Sequence, residues 1–167
     1  LAGLCAWQPC APVWALGGPA AGRSAAMTSL VKTGMTGGGE GIDRDFAHDI
    51  TLEDGATVTG DGWALEVIHT PGHLGNHISL AWNDACLTGD HVMGWASSLV
   101  SPPDGDLTDF LASFALLAGR TWRAFYPGHG DVIPDPNARL DWLIAHRLGR
   151  DAASLSAFDA GPARAAE

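Results

Sequence analysis

Three short loops in the sequence each follow a strand-like run and each offer a side chain that can bind a metal. They are residues 70–73 (TPGH), 89–91 (GDH) and 126–130 (YPGHG). A strand that ends in Pro-Gly turns sharply, so the next side chain projects from the sheet edge toward a shared cleft. Imidazole and carboxylate are ligands that zinc, iron and manganese take. We therefore expect His73, Asp90 and His129 to converge on one metal-binding cleft.

The order and flanking residues of these loops resemble the metallo-β-lactamase superfamily, most closely its glyoxalase-II-like branch, where HTPGH, GD and PGHG loops recur in this order. The resemblance covers residues 51–156 well and the first fifty residues only loosely. The superfamily's His-x-His-x-Asp-His motif, which supplies the remaining ligands, is not in this sequence. With no initiator Met either, we expect that the chain begins inside its gene and lacks an N-terminal segment.

The resemblance gives each loop residue a role. It makes His73 the third ligand of a first metal, His129 the ligand that completes a second metal, and Asp90 the bridging carboxylate and the catalytic residue. It implies two Zn²⁺ ions in the complete domain, with Fe²⁺ or Mn²⁺ as alternatives. The implied reaction is hydrolysis, in which a metal-bound hydroxide attacks an ester, thioester, lactone, lactam or phosphodiester of a small-molecule substrate. This chain carries only part of such a metal site.

Two other functions stay open. The same scaffold with one iron supports a thiol or persulfide dioxygenase, in which His129 would be a poor ligand. The chain is otherwise an inactive fragment or pseudoenzyme, which a His-x-His-x-Asp-His motif directly upstream in the encoding DNA would exclude.

Further residues near the loops are predicted to support the ligands or to line the pocket: His69, His77, His91 and Trp95. Asp90-His91 looks like the end of the signature motif, but Cys86 and Thr88 stand where its first two histidines would be. His91 is therefore not predicted to be a ligand. Trp95 belongs to residues 93–106, which follow Asp90 directly, where functional loops commonly lie.

The C-terminal part of the chain contains a His146-Arg147 pair and Arg150, which resemble a His-Arg-x-x-Arg pattern of the superfamily. We expect helix packing or a salt bridge there. Arg139, Arg147, Arg150 and Arg164 are too few for the basic patch that binds glutathione in some relatives, which disfavours a glutathione thioester.

Alternating apolar residues and turn residues predict the elements that carry these loops. Strands are predicted at 12–16, between Asp54-Gly55 and Asp61-Gly62, and at 63–69, 78–82, 85–88 and 122–126. Helices are predicted at the N-terminus, at 21–32, from the Asp106 cap to Gly119, and from Asp135-Pro136 onward, with a loop at 34–50. This order predicts an α/β fold, the C-terminal portion of an αββα sandwich, over residues 1–158, with a frayed tail at 159–167.

Composition limits the partners. The 167 residues are 46% hydrophobic, enough for one globular core, and the formal charge of −10 with nine Lys and Arg disfavours nucleic acid. Three cysteines without Cys-x-x-Cys spacing indicate a reducing cytoplasm, and no export signal or membrane span is predicted. Both faces of the strand at 63–69 are apolar, so we expect an exposed apolar face that favours a homo-oligomer or aggregation.

Overall fold

The computed structural model describes residues 11–34 and 42–159. The predicted N-terminal helix and most of the predicted frayed tail lie outside these ranges. The described residues form seven strands and three helices: β1 (Trp14–Ala15), α1 (Ala25–Lys32), β2 (Ile50–Thr51), β3 (Thr57–Gly60), β4 (Trp63–His69), β5 (Ile78–Trp82), β6 (Ala85–Gly89), α2 (Leu107–Ala118), β7 (Ala124–Pro127) and α3 (Pro136–Asp159). None of these helices is long and apolar enough to cross a membrane.

The main sheet contains five strands in the order β3-β4-β5-β6-β7. Neighbours from β3 to β6 are antiparallel, whereas β7 runs parallel to β6. Strands β4, β6 and β7 therefore point the same way, and their carboxyl ends meet at one edge of the sheet. The three predicted ligand loops all leave the sheet at this edge.

One face of this sheet packs against α2 and α3. Ile68, Ala81, Cys86 and Phe125 face the helices by strand alternation and register, and all are buried. The helices add Phe110, Phe114, Leu117, Leu140 and Leu143 to the same core cluster. The predicted α/β fold is confirmed, and the apolar stripes of α2 and α3 are what place these helices on the sheet.

The opposite face is only partly covered. Trp82, Leu87 and Tyr126 are exposed on it, at 46%, 39% and 37%. The sequence predicts an exposed apolar face on strand β4. This holds at Trp63, which is 43% exposed, but not at Val67, which is fully buried. The open part of the face lies mainly on β5, β6 and β7.

The N-terminal segment forms a small separate sheet, in which β1 pairs in parallel with β2. Two side-chain contacts fasten this segment to the loop that precedes α2. Arg23 forms an ion pair with the buried Asp104 at 2.7 Å, and Ser24 Oγ donates to Asp106 Oδ2 at 2.7 Å. The segment is thereby held beside the edge of the main sheet that carries the loops.

Two element boundaries differ from the sequence prediction for local reasons. The helix predicted from residue 21 begins at Ala25, because Gly22 has a φ of 67° and the Ser24 side chain caps the helix by accepting from the Met27 N–H. The strand predicted from residue 122 begins at Ala124, because the Trp122 indole turns into the core and donates to the Leu117 carbonyl. The caps at Asp106 and Gly119 are confirmed.

Candidate metal centre

The three predicted ligands lie at the same edge of the sheet, but His129 is not part of the cavity wall. His73 and Asp90 line the same cavity, and His129 Nε2 lies 3.5 Å from Asp90 Oδ1. A glycine is needed for this approach, because a Cβ atom at Gly128 would lie 2.5 Å from the Asp90 carboxylate. The structure thus places two of the loops in direct contact and the third on the same cavity.

The loop that carries His73 is fixed on both sides. A Cβ atom at Gly72 would lie 2.2 Å from the Phe110 backbone, and the φ of Gly72 is 132°, so this turn requires glycine. His73 Nδ1 lies 2.7 Å from the Leu99 carbonyl oxygen, which can only accept a hydrogen bond. Nδ1 therefore carries the proton and Nε2 keeps its lone pair, which is the arrangement found in histidines that bind metals.

Asp90 follows the end of β6, where Gly89 has a φ of 50° and turns the chain. Its backbone carbonyl accepts a hydrogen bond from Ser98 Oγ. The side chains of Asp90 and His129 are 38% and 65% exposed, so both reach solvent from the same spot. A carboxylate and an imidazole in these positions can both bind a cation that enters from solvent.

The cavity beside these residues has a volume of about 520 Å³. Its wall is largely apolar, with Trp14, Leu16 and Phe46 from the N-terminal segment and Ile78 from β5. The titratable groups of this wall are His73 and the carboxylates of Asp43, Asp90 and Asp104. A cavity of this size and composition suits a small, uncharged or apolar molecule.

His69 supports the loop rather than the cavity. Its Nε2–H donates to the Gly75 carbonyl at 2.8 Å, and its backbone N–H donates to Asp54 Oδ1 at 2.7 Å. These contacts fix the start of the segment that presents His73.

His77 lies beneath the turn that leads to Asp90. A Cβ atom at Gly89 would lie 2.8 Å from His77 Nε2, and Nδ1 forms a 2.9 Å hydrogen bond with Thr70 Oγ1. Burial, together with the neighbouring His73, lowers the pKa of His77 to about 4. The ring is therefore neutral at pH 7, and it packs between the Thr70 side chain and the turn at Gly89.

His91 faces the core, so the predicted role in lining the pocket is wrong. The ring is fully buried, with its centroid 4.5 Å from that of Phe110 and 4.9 Å from that of Phe114. Neither ring nitrogen makes a hydrogen bond of normal geometry within residues 11–34 and 42–159, although the Phe110 backbone lies near enough to favour the protonated ring. Burial is the main reason that the pKa of His91 lies well below its usual value. It still touches the site indirectly, because its centroid is 5.6 Å from that of His77.

Comparisons with known proteins give relatives in sequence and in fold. No protein-family model matches the chain. A β-lactamase-like protein 2 homolog from Drosophila melanogaster is 32% identical over 101 residues, which are 60% of this chain and 33% of that protein. An atrochrysone carboxyl ACP thioesterase from a Cryptosporiopsis species is 30% identical over 110 residues, which are 65% of this chain and 33% of that protein.

The solved structure of a metallo-β-lactamase family protein from Thermus thermophilus superposes on 80% of this chain with a TM-score of 0.65 and 29% identity. In sequence and fold the chain is similar to proteins of the metallo-β-lactamase superfamily. It spans about a third of the length of the curated relatives above and 48% of the Thermus structure.

The donor atoms suit the metals of this superfamily, although the set is incomplete. The free Nε2 of His73, the Asp90 carboxylate and the His129 ring are borderline to hard ligands that fit zinc, iron or manganese. Within the described ranges, however, no three histidine, cysteine, aspartate or glutamate side chains stand close enough to hold one ion together. The chain thus presents partial ligand sets.

Trp95 stands at the rim, on the His129 side. Its side chain is 72% exposed, and a Cβ atom at Gly130 would lie 2.6 Å from its Cδ1 atom. It is not part of the cavity wall described above. A large apolar group in this place is available to a molecule that approaches His129.

Sequence reasoning missed the roles of Ser98, Arg139 and Arg147. Both arginines point toward the loop after Asp90 and donate to its backbone carbonyls, so neither is free to form a basic patch. The packing expected of Arg147 is present, since its Cζ lies over Phe110 at 5.2 Å from the ring centroid. In the sequence, only the spacing of the two arginines points to these contacts, because it places both on the same side of the last helix.

Proposed function

We propose that this chain carries one side of the metal centre of a hydrolase, and that the enzyme belongs to the glyoxalase-II-like branch. The observation that supports this most is the meeting of three loops at one sheet edge, with His73 and Asp90 on one cavity and His129 3.5 Å from Asp90. The names of the relatives, which include a thioesterase, support hydrolysis as the class of reaction.

In this proposal His73, through Nε2, and His129 would each hold a metal, and the Asp90 carboxylate would serve both sites. Two Zn²⁺ ions are the preferred occupants, with Fe²⁺ or Mn²⁺ as alternatives. When bound, such a metal would supply a water of lowered pKa, about 7, and would polarise the carbonyl under attack. The chain's own contribution is to hold His73 in the tautomer with a free Nε2 and to keep the Asp90 carboxylate beside His129.

The substrate proposed is a small ester or thioester without a large negative charge. Of the described residues in the cavity wall, three are aspartates and none is lysine or arginine. Asp104 is paired with Arg23 and Arg44 from outside the wall, so Asp43 and Asp90 carry the negative charge that faces the cavity. The charge of the whole chain is also negative, at −10. Such a field raises the energy of a phosphodiester or of glutathione carboxylates, whereas it does not oppose a neutral acyl group.

The one-iron dioxygenase is the weaker alternative, because it has no use for His129 as a ligand. The short distance from the His129 ring to the Asp90 carboxylate weighs against it. A metal count of one iron per chain in the active enzyme would reverse this preference.

The test is metal analysis and a hydrolysis panel on the full-length gene product. The panel contains an aryl ester, an acyl thioester, a lactone, a β-lactam and a phosphodiester. Asp90→Asn and His129→Ala should each lower activity by more than the roughly 10- to 100-fold loss that follows removal of an outer-shell partner. Arg123→Gln is the control, because Arg123 pairs with Asp84 at the end of the sheet away from the site.

Two metals per chain with ester or thioester hydrolysis that depends on Asp90 would support the proposal. A full-length product that binds no metal, or that hydrolyses none of these compounds after metal loading, would overturn it.

A further inference from the structure

One loop touches all three proposed metal ligands. This loop, residues 93–99, is called the buttress loop below. Gly94 N–H donates to the His129 carbonyl at 2.9 Å, and Ser98 Oγ donates to the Asp90 carbonyl. The Leu99 carbonyl accepts a hydrogen bond from His73 Nδ1 at 2.7 Å. Because the ligands come from three different strands, the buttress loop is the element that connects their positions.

Helix α3 holds the buttress loop with two arginines. Arg139 Nη2 donates to the Met93 and Ala96 carbonyls, at 2.9 Å each. Arg147 Nη2 donates to the Ser98 carbonyl. The two guanidinium groups thus grip the loop near its beginning and near its end.

Both arginine side chains are partly buried where they contact the buttress loop. Burial lowers the pKa of both Arg139 and Arg147, and neither Nε atom has a hydrogen-bond partner among the described residues. Arg139 also stacks on Trp142, with its Cζ 4.7 Å from the ring centroid. Desolvating a charged group is costly unless its contacts compensate. The hydrogen bonds to the loop carbonyls are the contacts that compensate here.

We propose that Arg139, Arg147 and Ser98 are positioning residues for the metal centre: the arginines fix the buttress loop, and the loop fixes His73, Asp90 and His129. The identity of the three ligands rests on the proposed function, whereas the loop contacts do not.

The clearest consequence concerns the protonation of the His73 ring. The Leu99 carbonyl accepts from Nδ1–H and so selects the tautomer in which Nε2 can bind a metal. If the loop is loosened, this hydrogen bond weakens and the Nε2–H tautomer becomes accessible. Metal binding must then displace that proton, so affinity falls.

The experiment measures the histidine tautomers of the metal-free, ¹⁵N-labelled chain by long-range ¹H–¹⁵N correlation, followed by zinc titration. The variants are Arg147→Gln, Arg139→Gln and Ser98→Ala, with Arg147→Lys as the conservative replacement. Arg123→Gln is the control, because Arg123 pairs with Asp84 at the far end of the sheet and both side chains are exposed. The melting temperature of each variant is recorded beside its tautomer.

In the unchanged chain and in the control, we expect His73 as the Nδ1–H tautomer. In Arg147→Gln and Arg139→Gln we expect a mixture of tautomers and a zinc Kd that rises roughly 10- to 100-fold, the range for lost outer-shell partners. Arg147→Lys should recover part of both effects, because a donor to the Ser98 carbonyl is retained.

The proposal is wrong if the glutamine variants melt like the control and keep both the His73 tautomer and the zinc affinity. Should Arg147→Gln not fold, Ser98→Ala decides, since it removes one hydroxyl and is expected to shift the tautomer in the same direction. A tautomer shift in a chain that binds no zinc at any concentration would support the positioning role and contradict the proposed metal function.

Discussion

His129 Nε2 lies 3.5 Å from Asp90 Oδ1, although the two residues follow different strands. Parallel pairing of β6 and β7 brings this contact about, because both strands then end at the same edge and Gly128 N–H donates to the Gly89 carbonyl at 2.7 Å. Through this contact Asp90 connects its own loop, after β6, with the His129 loop, after β7.

From this arrangement we predict that the 167-residue chain binds zinc weakly and with a stoichiometry below two. Three ligands divided between two ions leave each ion short of the three or four protein ligands of a stable zinc site. Isothermal titration and metal analysis after dialysis measure both quantities. Asp90→Asn should weaken binding most, and His48→Asn should not change it.

Two tightly held ions would contradict this prediction. Such a result would mean that other histidines complete the sites, and His69 and His77 would be the first candidates because they flank the His73 loop.

The second prediction concerns stability at mildly acidic pH. The pKa of His77 is about 4 in the folded chain, mainly because of burial, and about 6.5 when unfolded. Between these values the unfolded chain binds more protons, so the free energy of unfolding falls as pH drops from 6.5 toward 4. The slope from this residue is at most about 1.4 kcal/mol per pH unit, and the full loss is about 3 kcal/mol.

Urea unfolding at about pH 7.5, 6.5, 6.0 and 5.0 measures this slope. His77→Asn keeps an acceptor near Thr70 and should lower the slope by up to about 1.4 kcal/mol per pH unit, while the part that comes from the buried His91, whose pKa is also lowered, should remain. His48→Asn should leave the slope as it is. An equally steep slope in His77→Asn would show that the proton binds elsewhere.

The third prediction concerns His91. Its ring lies between Phe110 and Phe114 without a partner for either nitrogen among the described residues, so its polar atoms are buried at a cost of about 1–3 kcal/mol. His91→Phe removes the buried ring nitrogens, which favours a higher free energy of unfolding, but its slightly larger ring causes some overpacking. We therefore expect that free energy to rise, or to change by less than about 1 kcal/mol. His91→Ala should lower it by roughly 2–4 kcal/mol by leaving a cavity.

Chemical denaturation of the metal-free chain compares these two variants. A loss of several kcal/mol in His91→Phe would show that a ring nitrogen has a partner that stabilises the fold.

The sequence predicts most elements because their signals are local. Alternation places β4 and β5 at their observed bounds, and the Asp106 side chain and Gly119 mark the ends of α2. The ligand loops can also be predicted, since each combines a strand end with a turn residue and a metal-binding side chain. Their convergence follows from the expectation that these strands end at one edge.

The parts that could not be predicted depend on contacts between distant residues. Nothing in the sequence shows that the Arg147 guanidinium reaches the Ser98 carbonyl. The adjacency of His91 to Asp90 suggests a place near the pocket, but it does not reveal which way the ring points. Val67 belongs to an apolar strand face that is expected to be open to solvent, yet it is fully buried.

The fourth prediction concerns the part of the sheet that none of the three described helices covers. Leu87 is 39% exposed there, and strand register places it between Leu80 and Tyr126 on the same face. An apolar sheet face of this kind favours association between chains. We therefore expect the isolated chain to self-associate as its concentration rises, in sedimentation velocity, and to bind a hydrophobic dye.

Leu87→Glu should reduce both effects, because a charge would have to be desolvated when two faces meet. Leu116→Glu is the matched control, since Leu116 is 48% exposed on α2, away from this face. If the unchanged chain stays monomeric at high concentration and melts in one sharp transition, the face is not an association surface. If both glutamate variants reduce association equally, then the effect comes from net charge rather than from the sheet, because either substitution adds one negative charge to an already negative chain and increases the repulsion between copies.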